Sequence, residues 1–139
     1  MNTQNEILQV ESLTKVYGKG DSRTEALKGI TFHVLEGEFL GIMGASGSGK
    51  TTLLNCIATV LKPTSGKIIL HGKDLSSFHG EALSDYRGKE IGYLFQEFEL
   101  LDNLTARENI TLPLALHGVT AKKAESAIRT LASMLDITE

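Results

Sequence analysis

The clearest chemistry in this chain lies in one run of eight residues. Gly44-Ala45-Ser46-Gly47-Ser48-Gly49-Lys50-Thr51 fits the pattern G-x-x-x-x-G-K-[ST]. The glycines let the backbone curl with its N–H groups pointing inward, which makes a concave nest for an anion. A helix opening near Lys50 adds the positive end of its dipole. Lys50 supplies a point charge for the β- and γ-phosphates of a nucleotide. The Thr51 hydroxyl is a hard oxygen ligand suited to Mg2+. Thr52 adds a hydroxyl near the α-phosphate.

Such a loop needs a strand that aims it and a helix that receives it. Phe39-Leu40-Gly41-Ile42-Met43 is a short continuous apolar run, which predicts a strand buried on both faces of a parallel sheet. From Thr51 to Leu61, the residues Leu53, Leu54, Ile57, Val60 and Leu61 recur at helical spacing, with Pro63 and Gly66 as stops beyond. A chance match in a Gly/Ser linker would lack both flanks. Elsewhere, Ile7–Val10 predicts an edge strand and Ala26–Val34 a second strand. Glu36-Gly37-Glu38 is a turn. Lys67–His71 predicts a strand turned by Gly72-Lys73-Asp74, residues 75–90 are mixed and polar, and Ile91–Phe95 predicts another buried strand. After Gln96 the chain becomes Leu-rich with helical spacing. Thr120 is placed to cap a helix with the face Ala124, Ala127, Ile128, Leu131 and Leu135. The order strand, loop, helix, strand is that of an α/β protein.

Composition narrows the function classes. The 139 residues are 41% hydrophobic and 22% charged, with a net charge of -3. That mild acidity gives no reason to expect a nucleic-acid partner. Cys56 is the single cysteine, so no internal disulfide is possible, which fits a reducing cytosol. On the helix after the loop it reads as a small core residue. The polar start Met1–Glu6 has no apolar h-region, so no signal peptide is expected. No apolar run approaches the ~20 residues that span a bilayer. His33, His71, His79 and His117 have no metal-ligand spacing. A GTPase would carry D-x-x-G after an apolar strand. Asp85-Tyr86-Arg87-Gly88 has the spacing but follows a polar stretch, so it reads as a solvated helix end or turn. No N-K-x-D for guanine is present.

A set of spaced motifs resembles the ATP-binding subunit of ABC transporters. They are Leu13-Thr14-Lys15-Val16-Tyr17-Gly18, Ala26-Leu27-Lys28-Gly29-Ile30, Gly37-Glu38-Phe39, the phosphate loop, Lys62-Pro63-Thr64-Ser65-Gly66, and Ile91-Gly92-Tyr93-Leu94-Phe95-Gln96. Within that family, the stretch from Leu100 to Leu114 and the long Gly18–Glu25 loop resemble the group serving lipoprotein release, macrolide export and bacitracin-type peptide export. The resemblance implies a P-loop NTPase (RecA-like) core with an N-terminal antiparallel β-subdomain over residues 1–95, and the start of a helical subdomain over 96–139. It implies ATP and Mg2+ as cofactors, held by Gly44–Thr52. It makes Tyr17 the aromatic that stacks on adenine, and Gln96 the glutamine that reaches Mg2+ and the attacking water. Lys50 and Gln96 are then the catalytic candidates, and Thr51 and Gln96 the metal ligands.

The resemblance also implies two partners: a second ATP-binding subunit, and a transmembrane permease contacted by residues 96–112, including Phe98, Leu100, Leu101 and Leu104. The expected location is the cytoplasmic face of the membrane. The family's signature sequence, Asp-Glu strand and switch histidine are not found in these residues. The chain therefore reads as a fragment or truncated product. Two functions stand: the ATPase subunit of an exporter or resistance transporter, or a nucleotide-binding module without turnover. A soluble P-loop kinase or GTPase is opposed by Tyr17 and Gln96 at their distances from Lys50.

Overall fold

The computed structural model describes residues 5–97 and 99–137. Phe98 and the residues at the two ends lie outside the described part. The chain divides into two units, Met1–Tyr93 and Leu94–Glu139. No helix among the described residues is long and apolar enough to cross a membrane.

The first unit is built on an antiparallel sheet. Two long strands, β1 (Glu6–Tyr17) and β2 (Thr24–Leu35), pair along most of their length. β3 (Ser65–Leu70) and the short β4 (Lys73–Asp74) follow, in the order β2-β1-β3-β4. The expected edge strand at Ile7–Val10 is thus part of an interior strand. A bulge hides this from the sequence. Against β2, Val10 faces Phe32 and Leu13 faces Ile30, so three steps on β1 match two on β2. The same extra residue appears against β3. Ser12 takes up the kink at φ 46°. Val10 and Leu13 then both point inward, at 1% and 0% exposure, despite odd spacing that breaks a plain alternation. Gly66 crosses this bulge at φ +91°, where a Cβ would lie 2.5 Å from the Ser12 carbonyl oxygen. Its task is this close crossing, beyond the helix stop read from sequence.

Helix α1 (Lys50–Ile57) lays Leu53 and Cys56 on the core formed with Val10, Leu13, Leu27 and Ile68. Burial pushes the Cys56 thiol above its ordinary pKa. The helix ends earlier than its apolar pattern predicts. Thr59 adopts φ 58°, and the Val60 and Leu61 N–H groups both donate to the Asn55 carbonyl. Val60, beyond the helix end, is exposed, and so is Leu54 on the outer face of α1. Helix α2 (Gly80–Glu90) occupies much of the stretch read as mixed and polar. It is anchored by Tyr86, which is buried, stacks on Phe78 at 4.7 Å and donates its hydroxyl to the Leu70 carbonyl at 2.9 Å. Asp85–Gly88 is therefore helical, and Asp85 accepts from Lys89 at 2.7 Å.

Two expected strands do not form among the described residues. Phe39–Met43 is not a strand, and Phe39 and Met43 are 98% and 95% exposed. Ile91–Phe95 is likewise not a strand, and Leu94 is 95% exposed. An apolar run becomes a core strand only when neighbours supply its ladder bonds. The strands present pair with one another instead. Beside Phe39–Met43 lies a hollow of about 480 Å³ lined by Leu27, Ile30, Phe32, Leu40, Ile42 and Leu53.

The second unit holds α3 (Ala106–Leu116) and α4 (Ala121–Met134). Thr105 and Glu108 form a reciprocal capping box at the start of α3. Asn109 ties the preceding turn to α3, accepting from the Leu101 N–H and donating to the Leu101, Leu104 and Thr105 carbonyls. Arg107 grips Glu125 through both carboxylate oxygens, at 2.9 and 3.0 Å, and so joins α3 to α4. Thr120 stands at the N-cap of α4 with no side-chain cap bond. Of the apolar face expected there, Ala124 is buried while Leu131 and Leu135 are exposed.

Candidate functional site

The phosphate-loop residues Gly44–Thr52 come together as one turn running into α1. Two glycines are needed by the backbone. Gly47 has φ +76° in open space. Gly49, the N-cap of α1, has φ +89°, and a Cβ there would lie 2.4 Å from the Ala26 carbonyl oxygen and 3.2 Å from Leu27 Cδ2. The loop therefore seats directly on β2, and only a residue without a side chain lets it. The Ser48 N–H donates to the Ala45 carbonyl at 3.2 Å, which closes the turn. Ala45, Ser46 and Ser48 are exposed along it.

Lys50 folds back over this turn. Its ammonium donates to the Gly44 carbonyl at 2.8 Å, the Ala45 carbonyl at 2.7 Å and the Ser48 hydroxyl at 3.3 Å. Those three acceptors match the three donors of a lysine. The sequence presented Lys50 as a free charge in a nest, but the side chain also staples the nest together. The first i→i−4 bond of α1 runs from the Leu53 N–H to the Gly49 carbonyl at 2.8 Å. The amides of Lys50, Thr51 and Thr52 precede it and lie at the positive end of the helix. Thr51 is exposed and Thr52 half-buried. This donor set fits a polyphosphate: the amides at the start of α1, a primary ammonium and two hydroxyls.

Tyr17 closes β1 opposite Thr24 and is 41% exposed. Thr24 lies two residues along β2 from Ala26, the residue under Gly49. That is about 7 Å along the strand, plus one strand spacing of about 5 Å to Tyr17. The aromatic ring and the loop thus belong to the same end of the sheet. The Lys15 ammonium lies 5.3 Å from the ring centroid, a contact the sequence reading did not anticipate. Gln96 belongs to the second unit, in a bend with Glu97, and shares a surface hollow with Glu99, Leu100 and Asp102. Cys56 is buried as expected. His71 lies 3.5 Å from Glu90, and His79 is the N-cap of α2. Three features went unread in the sequence: the Lys50 staple, the Lys15 contact and the α3 cap. Only the last has a local signature, Thr105-x-x-Glu108.

The ABC transporter family profile matches residues 27–139. The chain is 46% identical over 133 residues to an uncharacterized ABC transporter ATP-binding protein of Bacillus subtilis, covering 94% of this chain and 51% of that protein. It is 42% identical over 133 residues to the bacitracin export ATP-binding protein of Halalkalibacterium halodurans, covering 96% and 53%. Among solved structures, a dimeric post-hydrolysis ATP-binding cassette bound to ADP and Pi aligns with a TM-score of 0.80 at 36% identity, over 88% of this chain and 54% of that one. The chain thus spans about half the length of the curated relatives it matches. Its architecture is that of the α/β P-loop NTPase fold, with the antiparallel sheet as the N-terminal β-subdomain. On this evidence the chain belongs to the ABC transporter family, as an ATP-binding domain.

Proposed function

We propose that this chain forms the nucleotide-binding part of an ATPase subunit that drives export or resistance transport. The observation that carries the reading is the Lys50-stapled loop, seated on β2 and running directly into the N-terminus of α1. Residues 1–95 serve as β-subdomain and nucleotide core, and 96–139 open the helical subdomain. The division of the chain between Tyr93 and Leu94 supports that partition.

In this reading, the amides of the Gly44–Thr52 loop would hold the phosphates of ATP. Lys50 would exchange its longest bond, to the Ser48 hydroxyl, for the β- and γ-phosphates. Thr51 and Gln96 would hold Mg2+, and Gln96 would orient the attacking water. Tyr17 would stack on adenine. When bound, Mg-ATP supplies the phosphoanhydride, and its metal offsets charge on the phosphoryl oxygens. The protein's contribution is positioning and fixed dipoles.

The partners are a second ATP-binding subunit and a transmembrane permease, and the location is the cytoplasmic face of the membrane. The exposed Leu100 and Leu101 and the half-buried Leu104, within residues 96–112, face the permease. Support for the export class comes from the similarity to the bacitracin export protein. A second reading applies to residues 1–139 taken alone: nucleotide binding without turnover. The exposure of Phe39 and Met43 favours it, because a core strand that is not formed cannot hold the adjoining loop as rigidly as catalysis needs. The test is phosphate release by a subunit of the relatives' length containing this chain, with and without its permease. Hydrolysis that needs Lys50 and Gln96, with cross-links from residues 96–112 to the permease, is expected. Hydrolysis unaffected by either substitution would overturn the assignment.

A further inference from the structure

The end of β1 is held by a loop that sequence spacing does not connect to it. The Lys15 ammonium donates to the Lys62 carbonyl at 2.7 Å. The Val16 N–H donates to the Thr64 hydroxyl at 3.0 Å, and the Thr64 N–H donates to the Thr14 carbonyl at 2.9 Å. The Thr14 and Ser65 hydroxyls share a bond of 2.7 Å. These bonds cover three consecutive residues and stop one short of Tyr17. The loop that supplies them follows α1, whose first turn is the phosphate loop.

Tyr17 itself stands where β1 gives out. Gly18 turns at once with φ +71°, and its Cβ position is closed by the Ser22 carbonyl at 2.4 Å. Lys15 and Tyr17 are two apart on a strand, so their side chains share a face. The Lys15 ammonium, pinned by the Lys62 carbonyl, sits over one side of the ring within cation–π range. A ring with one face taken by a fixed cation offers its other face to a ligand in a set orientation.

We propose that Lys15, anchored by the Lys62 carbonyl, is a positioning residue that orients Tyr17 for a purine, and that Thr64 supports it by fixing the strand end. The inference rests on the adenine-stacking reading of Tyr17. It joins the base site to the segment after α1, so that the ring and the phosphate loop are placed by one continuous piece of chain.

The experiment compares ATP with inorganic tripolyphosphate, which has no base, by titration calorimetry on a subunit of the relatives' length. Lys15→Met should lower ATP affinity about 3- to 10-fold and leave tripolyphosphate unchanged. Lys15→Arg should restore most of the loss, since a guanidinium can both donate to the carbonyl and cover the ring. Lys15→Met in a Tyr17→Ala background should cost nothing further. Thr64→Val, which removes the acceptor of the Val16 N–H but no charge, should shift the ATP-to-tripolyphosphate ratio in the same direction and serves if Lys15→Met fails to fold. A selective ATP loss in Tyr17→Ala with no change of ratio in Lys15→Met or Thr64→Val overturns the positioning role. Equal loss of both ligands in Tyr17→Ala overturns the stacking reading itself.

Discussion

Gly47→Ala and Gly49→Ala provide a matched pair, because both glycines have positive φ but different surroundings. At Gly47 a methyl meets nothing within 4 Å, so the cost is backbone strain alone, roughly 1–2 kcal/mol. At Gly49 the strain is similar, but the methyl would also sit 2.4 Å from the Ala26 carbonyl oxygen, far inside contact distance. Overpacking of that kind adds roughly 1–3 kcal/mol. Something must move, and the loop is the softer partner: β2 is paired to β1 along most of its length, while the loop is largely exposed. The displacement therefore reaches the amides of Lys50–Thr52. Gly47→Ala should weaken ATP about 5- to 30-fold, and Gly49→Ala about 30-fold or more, at ten-fold per 1.4 kcal/mol. Titration calorimetry gives the affinities and thermal melts report the fold. A Gly49→Ala protein that binds ATP as well as Gly47→Ala, or better, would show that the loop does not depend on its seat against Ala26.

Three further outcomes are expected. Glu108 accepts from the Thr105 N–H and hydroxyl, which holds its carboxyl below the usual range. Its stabilisation of the α3 start is fully present above the ordinary Glu pKa of about 4.3 and is lost as pH falls through the lower folded value. Amide exchange at the first turn of α3 should rise at acid pH in the wild type and much less in Glu108→Gln, which keeps an acceptor that does not titrate; equal profiles would remove the carboxylate from the cap. Tyr86→Phe leaves the Leu70 carbonyl without its donor and should destabilise the first unit by about 1–3 kcal/mol in a denaturant melt; no change would mean that ring packing alone anchors α2. Residues 1–139 alone should release phosphate from ATP far more slowly than a subunit of the relatives' length, and gel filtration should show self-association through the exposed Phe39–Met43 run; steady turnover by a monomer would count against this.

The loop was legible because its pattern encodes backbone conformation. Positive φ at Gly47 and Gly49, and an ammonium one residue later, are local requirements that spacing records. β2 was legible for the same reason, as a long run rich in strand formers. β1 was legible only in part. The bulge at Ser12 puts Val10 and Leu13 on one face, and no two-residue period survives it. The runs at 39–43 and 91–95 carry the composition of core strands, but among the described residues neither forms one, because composition alone does not supply ladder partners. Tyr86 was hidden because its burial depends on Phe78 and the Leu70 carbonyl, one in the preceding segment and one on a strand. The hold of Lys15 on Lys62 spans 47 positions and leaves no mark in either local sequence.

Lys50 decides the central claim, that Gly44–Thr52 is a nucleotide phosphate site. Lys50→Ala removes both the charge for the phosphates and the staple to the Gly44 and Ala45 carbonyls. The residue lies at the first position of α1, away from the core contacts of Leu53 and Cys56, so the fold should persist. The measurement is Mg-ATP titration calorimetry on wild type and Lys50→Ala of a subunit of the relatives' length, with circular dichroism on both. The prediction is a loss of affinity of about 10-fold or more, as expected for a charge-assisted contact, with an unchanged spectrum. Equal affinity in the two proteins would contradict the account.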